Sequence, residues 1–380
     1  MTEFLGFSIE LQWFVVLCIG AISTIIQLVY YFGFYFRFVF HRQKPLQENK
    51  EPVSVIICAR NEAENLDNFL PVILTQDYPV YEVVLVNDCS TDDTETVLKK
   101  YTNQYSHFRT SEIKIDKKFS HGKKLAVTIG IKAAKYEQLL FTDADCKPDS
   151  DQWIKRMSAH FSENVSIVLG YGGNVQQPGL LNKYIRYDTL LIALNYFSFA
   201  LAGLPYMGVG RNLGYRRSLF YSGKGFSSHF HLASGDDDLF VNEHATKTNT
   251  AVEYNKESHT RTAPKESFQK WFFQKKRHFS TSSHYKPAHK FLLGLEPAGR
   301  LVFYTTIVLS FIFIPEIKYY LLGVFVFRLI LQIIVIKKAM NRLNEKNLLL
   351  ISLLFDPVSL FINFILLLAG RFRPSNYQWK

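Results

Sequence analysis

The stretch VSVIICARNEAENLDNFLPVILTQ, residues 53–76, joins two kinds of hydrophobic pattern. Its first seven residues form a short apolar run rich in β-branched side chains, which predicts a buried strand. Apolar residues then recur at helical spacing, which predicts a helix after residue 62. A buried strand followed directly by a helix is the unit from which parallel sheets are built in α/β proteins.

The same alternation continues along the chain. YEVVLVND (81–88) and QLLFTDAD (138–145) predict two further buried strands. TETVLKKYTNQY (94–105) and GKKLAVTIGIKAAK (122–135) predict the helices that connect them. The fold class expected is therefore α/β, with a Rossmann-like parallel sheet covered by helices on both faces.

Polar residues follow each predicted strand at the point where it ends. ARNE follows the first strand, NDCSTDDT closes the second and DAD closes the third. Ligands of open α/β sheets bind outside the carboxyl ends of the strands. The three acidic strand ends therefore predict one shared site.

Asp143 and Asp145 stand two positions apart at the end of the third strand. Both carboxylates can reach one divalent ion there, and ligation by oxygen alone suits Mg²⁺ or Mn²⁺. The alternative for such acidic residues is a helix N-cap. We assign that structural role to Asp149 or Ser150, ahead of the predicted helix DQWIKRMSAHF, and to one carboxylate of the later triplet 236–238.

Residues 11–36 contain no charged residue, and about 20 apolar residues suffice to cross a bilayer as a helix. A signal peptide is the competing interpretation, but its apolar region is shorter and follows basic residues, whereas Glu3 and Glu10 stand here. The basic segment RFVFHRQK follows. By the positive-inside rule it places the next part of the chain in the cytoplasm.

Three further apolar runs occupy residues 301–314, 319–336 and 348–369. The first is short and the second contains Arg328, so we expect a packed cluster rather than three clean spans. The last run either spans the membrane or breaks at Asp356-Pro357 and re-enters. The expected organisation is a transmembrane anchor (1–44), a cytoplasmic catalytic domain (50–290) and C-terminal transmembrane helices (295–380).

The composition excludes some classes of function. The net charge of +11 is explained by basic residues beside membrane segments, and no RNA-binding signature appears, so no nucleic-acid partner is expected. The four cysteines have neither metal nor disulfide spacing. The apolar stretch 190–210 is interrupted by polar residues, glycine and proline. It predicts a buried or membrane-surface helix rather than a span.

Several motifs together resemble the inverting, GT-A fold glycosyltransferases of family 2. VSVIICARNEAENL, VVLVNDCSTDDT, GKKLAVTIGI and TDADC resemble that family's motifs in the right order. Downstream, GVGRNLGYRRSLF, SGDDDLFVNEHA and QKKRHF resemble three more. The resemblance covers about residues 50–290 and implies a GT-A domain that uses a nucleotide-diphosphate sugar, with UDP-sugars favoured.

The resemblance also implies a role for individual residues. Asp236 takes the position of the catalytic base, with Asp237 left open by a one-position slip, and Gly235 replaces the glutamate of the motif. Asp143 and Asp145 would hold the metal. The remaining assignments are to the donor nucleotide. Glu62 and Asp88 would hold the nucleoside, with Asp88 on the base or ribose. Lys123 (or Lys124 in a shifted register) would approach the diphosphate or the base, and Arg277 would close on the diphosphate.

His278 stands where the family usually has tryptophan, which argues against a long polymer channel and favours single transfer over processive synthesis. The acceptor is left open between a lipid-linked group and a polysaccharide, and the expected location is the bacterial inner membrane. Three alternatives remain: a catalytically lapsed GT-A scaffold, a membrane transporter with a nucleotide-binding domain, and a nucleotidyltransferase.

Overall fold

The structure, a computed structural model, describes residues 2–4, 7–43, 45, 48–114, 122–232 and 234–372. The strands are β1 Thr2–Phe4, β2 Phe7–Ile9, β3 Val53–Ala59, β4 Tyr81–Asp88, β5 Phe108–Ile113, β6 Gln138–Asp143, β7 Cys146–Pro148, β8 Ile167–Leu169, β9 Gly172–Asn174, β10 Leu213–Arg216, β11 Thr250–Val252 and β12 Thr260–Thr262. The helices are α1 Leu11–Val29, α2 Phe36–Val39, α3 Ala63–Leu74, α4 Thr94–Gln104, α5 Lys123–Ala133, α6 Trp153–Ser158, α7 Leu180–Leu201, α8 Arg217–Ser222, α9 Asp238–His244, α10 Phe268–Ser282, α11 Pro287–Phe313, α12 Lys318–Arg342 and α13 Leu349–Phe372. A π-helical segment, Tyr30–Tyr35, joins α1 to α2.

A seven-stranded sheet in the order β11-β8-β10-β6-β3-β4-β5 forms the centre of the fold. The four strands from β6 to β5 are parallel, as the alternating pattern predicts. The sheet as a whole is mixed, because β10 runs antiparallel to both β6 and β8. Leu213 pairs with Phe141 near the carboxyl end of β6. The chain therefore enters β10 beside the carboxyl end of β6 and runs in the direction opposite to β6.

Helices cover both faces of the sheet, which confirms the predicted α/β architecture. On one face α3 buries Leu66 and Leu70. On the other face α5 crosses at Gly130, where an added Cβ would lie 2.6 Å from Ile56 Cγ2. A larger residue at this crossing would push α5 away from the strands that it covers.

The stretch 190–210 contributes to α7, which is buried inside the molecule as the sequence predicts. Leu190, Leu194 and Phe197 are nearly inaccessible to solvent. The hydroxyl of Tyr196 donates to the carbonyl of Gly170 at 2.8 Å. These contacts attach α7 to the domain that contains the sheet.

Among the residues that the structure describes, four helical segments are long and apolar enough to cross a membrane: 11–39, 287–313, 315–342 and 349–368. The three C-terminal runs were expected to form a packed cluster rather than separate spans, and this expectation is wrong. The short run 301–314 belongs to a longer helix that begins at Pro287. The last run does not break at Asp356-Pro357, since both residues lie inside α13. A proline is tolerated in such a helix where neighbouring groups satisfy the freed backbone carbonyl.

The loop between α12 and α13 is attached to the sheet domain through one buried carboxylate. Glu345 accepts from Arg186 Nε at 2.8 Å and from the hydroxyl of Tyr171 at 3.0 Å. Arg261 also donates to Glu345, and its other guanidinium nitrogen donates to the carbonyl of Leu343 at 3.1 Å. This loop therefore lies on the same side of the helical bundle as the sheet.

Candidate active site

The site is built where β6 ends. Asp143 is the last residue of β6, Asp145 follows after one alanine, and Cys146 opens β7. Their side-chain ligand atoms lie within 4.8 Å of one another. Burial, and then the neighbouring Asp145, raises the pKa of the Cys146 thiol well above its usual value, which keeps it protonated. The donor set that remains is two carboxylates, and these oxygens fit a hard divalent ion such as Mg²⁺ or Mn²⁺.

Lys123, the first residue of α5, joins the two acidic groups of the site. Its Nζ lies 2.8 Å from Asp143 Oδ1 and 3.2 Å from Asp236 Oδ2. Burial alone would lower the pKa of Lys123, but Asp143, Asp236 and Asp237 raise it well above its usual value. The ammonium group is therefore charged at neutral pH and screens the repulsion between the carboxylates.

Asp236 lies just before α9 and is 8% exposed. Burial raises the pKa of its carboxyl group, Lys123 opposes this rise, and the charges of Asp237 and Asp143 add to it. The net result is a raised pKa. A buried carboxylate with a raised pKa and a cationic neighbour has the properties of a general base.

Asp237 forms hydrogen bonds with the backbone through its carboxylate. It is the N-cap residue of α9, and its Oδ1 accepts from the backbone N–H of Asp238 at 2.8 Å. Its Oδ2 accepts from the backbone N–H of Gly210 at 2.7 Å. The expectation that one member of the triplet caps this helix is met by Asp237.

Asp238 points towards the helices that follow. Its Oδ2 accepts from the hydroxyl of Tyr285 at 2.7 Å and from Thr281. Burial and the charge of Asp237 raise the pKa of Asp238 to about 7, although both hydroxyl donors oppose the rise. The three neighbouring aspartates therefore have three different environments.

The residues that follow β3 and β4 form a second part of the site. Glu62 is the N-cap residue of α3, and its Oε2 accepts from Asn65 Nδ2 at 2.6 Å. Burial raises the pKa of Glu62, and Asp145 contributes to the rise. Asp88 is fully buried at the end of β4. Asn61 joins the two loops, since its Oδ1 accepts from the backbone N–H of Thr91 at 2.7 Å.

Two arginines complete the charge around Asp143. Arg277 lies on α10, and Arg211 lies in the short 3₁₀ turn before β10. Burial raises the pKa of Asp143, but Lys123, followed by Arg211 and Arg277, lowers it below its usual value. Within the described part of the chain, neither arginine has an acceptor for its buried Nε. Both side chains can therefore still donate to an anionic ligand.

Arg211 was not among the residues predicted from sequence. The signal that could have identified it is its place inside the quoted segment GVGRNLGYRRSLF, one residue after a glycine. A Cβ on Gly172 would lie 2.5 Å from Arg211 Nε, so the absence of a side chain there makes room for the guanidinium. Gly172 and Arg211 are brought together only by the tertiary fold, so no pattern in the local sequence indicates their contact.

The predicted site residues are brought together to different degrees. Lys123, Asp143, Asp236 and Asp237 line one pocket, together with Gly210. Asp145 and Cys146 adjoin it at the end of β6, and Asp88 closes β4, the next strand but one across the sheet.

The predicted helix cap at Asp149 or Ser150 is wrong, because α6 begins at Trp153 with Gln152 as its N-cap residue. The Oδ2 of Asp149 accepts from Arg261 Nε at 3.1 Å. Ser150 Oγ instead accepts from the backbone N–H of Gln152 at 3.0 Å. The side chain of His278, on α10, is exposed.

Comparison with known proteins finds relatives for part of the chain. The model of the family described as "Glycosyl transferase family 2" matches residues 54–223. Glycosyltransferase AglE of Haloferax volcanii is 35% identical over 142 residues, which cover 36% of this chain and 44% of that protein. A poly-beta-1,6-N-acetyl-D-glucosamine synthase of Staphylococcus epidermidis is 29% identical over 140 residues, covering 34% and 31%. The matches span less than half the length of these relatives.

A solved structure is similar over most of the chain. The mannosyltransferase PcManGT from Pyrobaculum calidifontis, in complex with GDP-Man and Mn²⁺, superposes with a TM-score of 0.57 at 17% identity. The superposition covers 88% of this chain and 99% of that one. At this level of identity the likeness shows the fold, which is GT-A.

Proposed function

The chain carries a glycosyl transferase family 2 domain of GT-A fold, and from this premise we propose that it transfers a sugar from a nucleotide-diphosphate donor to an acceptor hydroxyl or phosphate with inversion at the anomeric carbon. One observation carries the proposal. Lys123 contacts Asp143 of the candidate metal site and Asp236, the candidate base, at 2.8 and 3.2 Å. The groups that would receive the donor diphosphate and the acceptor proton therefore lie at one edge of the sheet.

In this proposal Asp236 takes the proton of the attacking acceptor. Both oxygens of Asp237 are bonded to backbone N–H groups, so Asp236 is the better candidate of the two. The attack comes from the face opposite the nucleotide, and the transition state has oxocarbenium character. The positive charge of Lys123 opposes the effect of burial on the pKa of Asp236 and so favours the ionised form that a base requires.

Cationic side chains would bind the donor diphosphate. The Nε–H groups of Arg277 and Arg211 have no acceptor among the described residues, and a guanidinium matches the geometry of phosphate oxygens. Asp143 and Asp145 would hold Mg²⁺ or Mn²⁺, which supplies positive charge opposite the departing diphosphate. Glu62 and Asp88, at the ends of the two neighbouring loops, would hold the nucleoside.

The donor is proposed to be a UDP-sugar, and the acceptor a lipid-linked group or a polysaccharide. The polysaccharide alternative for the acceptor is supported by a relative named as a poly-beta-1,6-N-acetyl-D-glucosamine synthase. Four helices of membrane-spanning length in the described part of the chain support an acceptor site beside a bilayer. We further propose the three-part organisation 1–44, 50–290 and 295–380, in a bacterial inner membrane with the catalytic domain in the cytoplasm.

The test is transfer or hydrolysis from a panel of UDP- and GDP-sugars in membranes, with Mn²⁺ or EDTA. One donor should release nucleotide diphosphate, and both EDTA and Asp145→Ala should abolish the release. Glu163→Gln is a matched control, because it removes an exposed carboxylate away from the site. Inactivity across the panel, together with no Mn²⁺-dependent binding of UDP or GDP, would contradict the proposal and favour the lapsed scaffold.

A further inference from the structure

A second cavity lies among the membrane helices, at the place where α7 of the catalytic domain meets them. Its polar lining consists of Tyr31, Tyr35, Asn195, Glu296, Arg300, Arg328, Gln332 and Asp356. Leu191 and Leu194 of α7 form part of its apolar wall. The cavity volume is about 40 Å³, which has room for the oxygen-bearing end of a larger molecule and not for the whole of it.

The charges around this cavity are balanced. Asp356 accepts from Arg300 Nη1 at 2.5 Å and from Arg328 Nη2 at 3.0 Å. Glu296 lies 3.4 Å from the other terminal nitrogen of Arg300. Two guanidinium groups thus face two carboxylates. All four side chains are largely or fully buried.

The hydrogen bonds are not balanced in the same way. Asp356 is saturated with donors, and Gln332 Oε1 accepts from Arg328 Nη1 at 2.6 Å. The Nε atoms of Arg300 and Arg328 and the Nε2 of Gln332 are buried without an acceptor in the described residues. Buried N–H donors with no partner are costly, and each is satisfied at little cost by an oxygen atom in the cavity.

The charge balance decides what kind of oxygen fits. A phosphate would add an unbalanced negative charge to a neutral, poorly hydrated site, which is unfavourable. Hydroxyl and ester oxygens accept the same hydrogen bonds without added charge. The tyrosine rings and the α7 leucines can then contact the carbon atoms that carry these oxygens.

The position along the helices suits a lipid. Lys337, the first basic residue after the apolar run of α12, lies about 13 Å along that helix from Arg328. The polar groups therefore lie below the head-group layer, in the leaflet next to the catalytic domain.

We propose that this cavity binds the uncharged, oxygen-rich head group of a membrane lipid. The same chemistry is offered by the glycerol end of a diacylglycerol and by the sugar of a glycosyl-diacylglycerol. The oxygens of either would accept from Arg300 Nε, Arg328 Nε and Gln332 Nε2. The proposal does not depend on the sugar-transfer reaction, because it concerns residues that lie outside the catalytic pocket.

The full chain, purified in detergent, would be titrated by native mass spectrometry with dioleoylglycerol, monoglucosyl-dioleoylglycerol and dioleoyl-phosphatidylglycerol. We expect one saturable neutral lipid for each chain, and comparing the first two probes identifies the source of the oxygens. Leu191→Phe fills the cavity without changing a polar group, and Gln332→Leu removes one free donor. Each should weaken neutral-lipid binding by about tenfold or more, whereas Leu322→Phe, on the outer face of α12, should not.

Thermal melting of each variant establishes that it is folded before binding is compared, and the two cavity variants test the proposal independently. Equal or tighter binding of phosphatidylglycerol, with the same sensitivity to the cavity variants, would overturn the assignment to an uncharged head group. Binding of neutral lipid that neither cavity variant weakens would overturn the site itself. In that case the arginine network only holds the helices together.

Discussion

Replacing Asp236 with asparagine tests the central assignment of the site. The amide keeps the size of the side chain but cannot take a proton, and it loses the ion pair with Lys123 at 3.2 Å. Removal of a general base typically costs 10²- to 10⁴-fold in rate, which corresponds to about 3 to 5.5 kcal/mol of transition-state stabilisation. We expect kcat to fall within that range for Asp236→Asn while the KM for the donor changes little.

Asp237→Asn is the matched control. An asparagine at this N-cap can still accept from a backbone N–H, and it caps helices about as well as aspartate does. Its activity should remain within about tenfold of the wild type, since the group is not the proposed base. The assay is release of nucleotide diphosphate in membranes, with the donor identified from the sugar panel and with protein amount and melting temperature matched.

Two results would refute this reasoning. Near wild-type turnover of Asp236→Asn would show that its carboxylate is not the base. A larger loss in Asp237→Asn than in Asp236→Asn would transfer the role to the neighbouring residue, in spite of its two backbone hydrogen bonds.

Four further predictions follow from the same structure. Asp145→Ala should lose Mn²⁺-dependent nucleotide binding but keep its melting temperature, as calorimetric titration with UDP or GDP would show; binding unchanged by the substitution would exclude Asp145 as a ligand. Because the pKa of Asp236 is raised above 3.8 and the base must be ionised, kcat/KM should fall as pH falls through that raised pKa; a pH–rate profile without this acid limb would contradict the role. The pKa of Asp238 is raised to about 7, so the folded state holds a proton that the unfolded state releases near pH 4, and stability should fall as pH rises from about 4 to 7; melting curves of Asp238→Asn should lack this decrease. Glu345→Gln leaves Arg186 and Arg261 without their buried partner and should destabilise the chain by about 3 to 5 kcal/mol, measured as a lower melting temperature; an unchanged value would show that the loop is held by other contacts.

The parallel part of the sheet was predictable from short-range patterns. A continuous apolar run such as 53–59 can be buried on both faces only in a covered sheet, and the helical spacing after it identifies the cover. The metal candidates could be predicted for the same reason, because Asp143 and Asp145 directly follow a recognisable strand. Here the local sequence contains the information.

Other features of the molecule were not predictable in this way. The antiparallel direction of β10 depends on where the chain arrives after α7, some 70 residues beyond β6 in sequence. The start of a membrane-length helix at Pro287 could not be predicted, because charged residues interrupt the apolar residues in the first half of that helix. Only its second half, within the run 301–314, is continuously apolar. The direction of a strand and the extent of a long helix depend on packing between residues that are far apart in the sequence.

The sequence by itself determined the strand and helix alternation, the acidic strand ends and the apolar length of the membrane segments, because each depends on neighbouring residues. Only the tertiary structure decided how the carboxylates divide their tasks: within three consecutive aspartates, one pairs with Lys123, one caps α9 and one meets Tyr285. It also brought Arg211 and Arg277 to Asp143 and gathered Arg300, Arg328 and Asp356 from three helices. Hydrogen bonding and burial act between groups that are close in space, and a residue's type does not reveal which distant groups the fold places beside it.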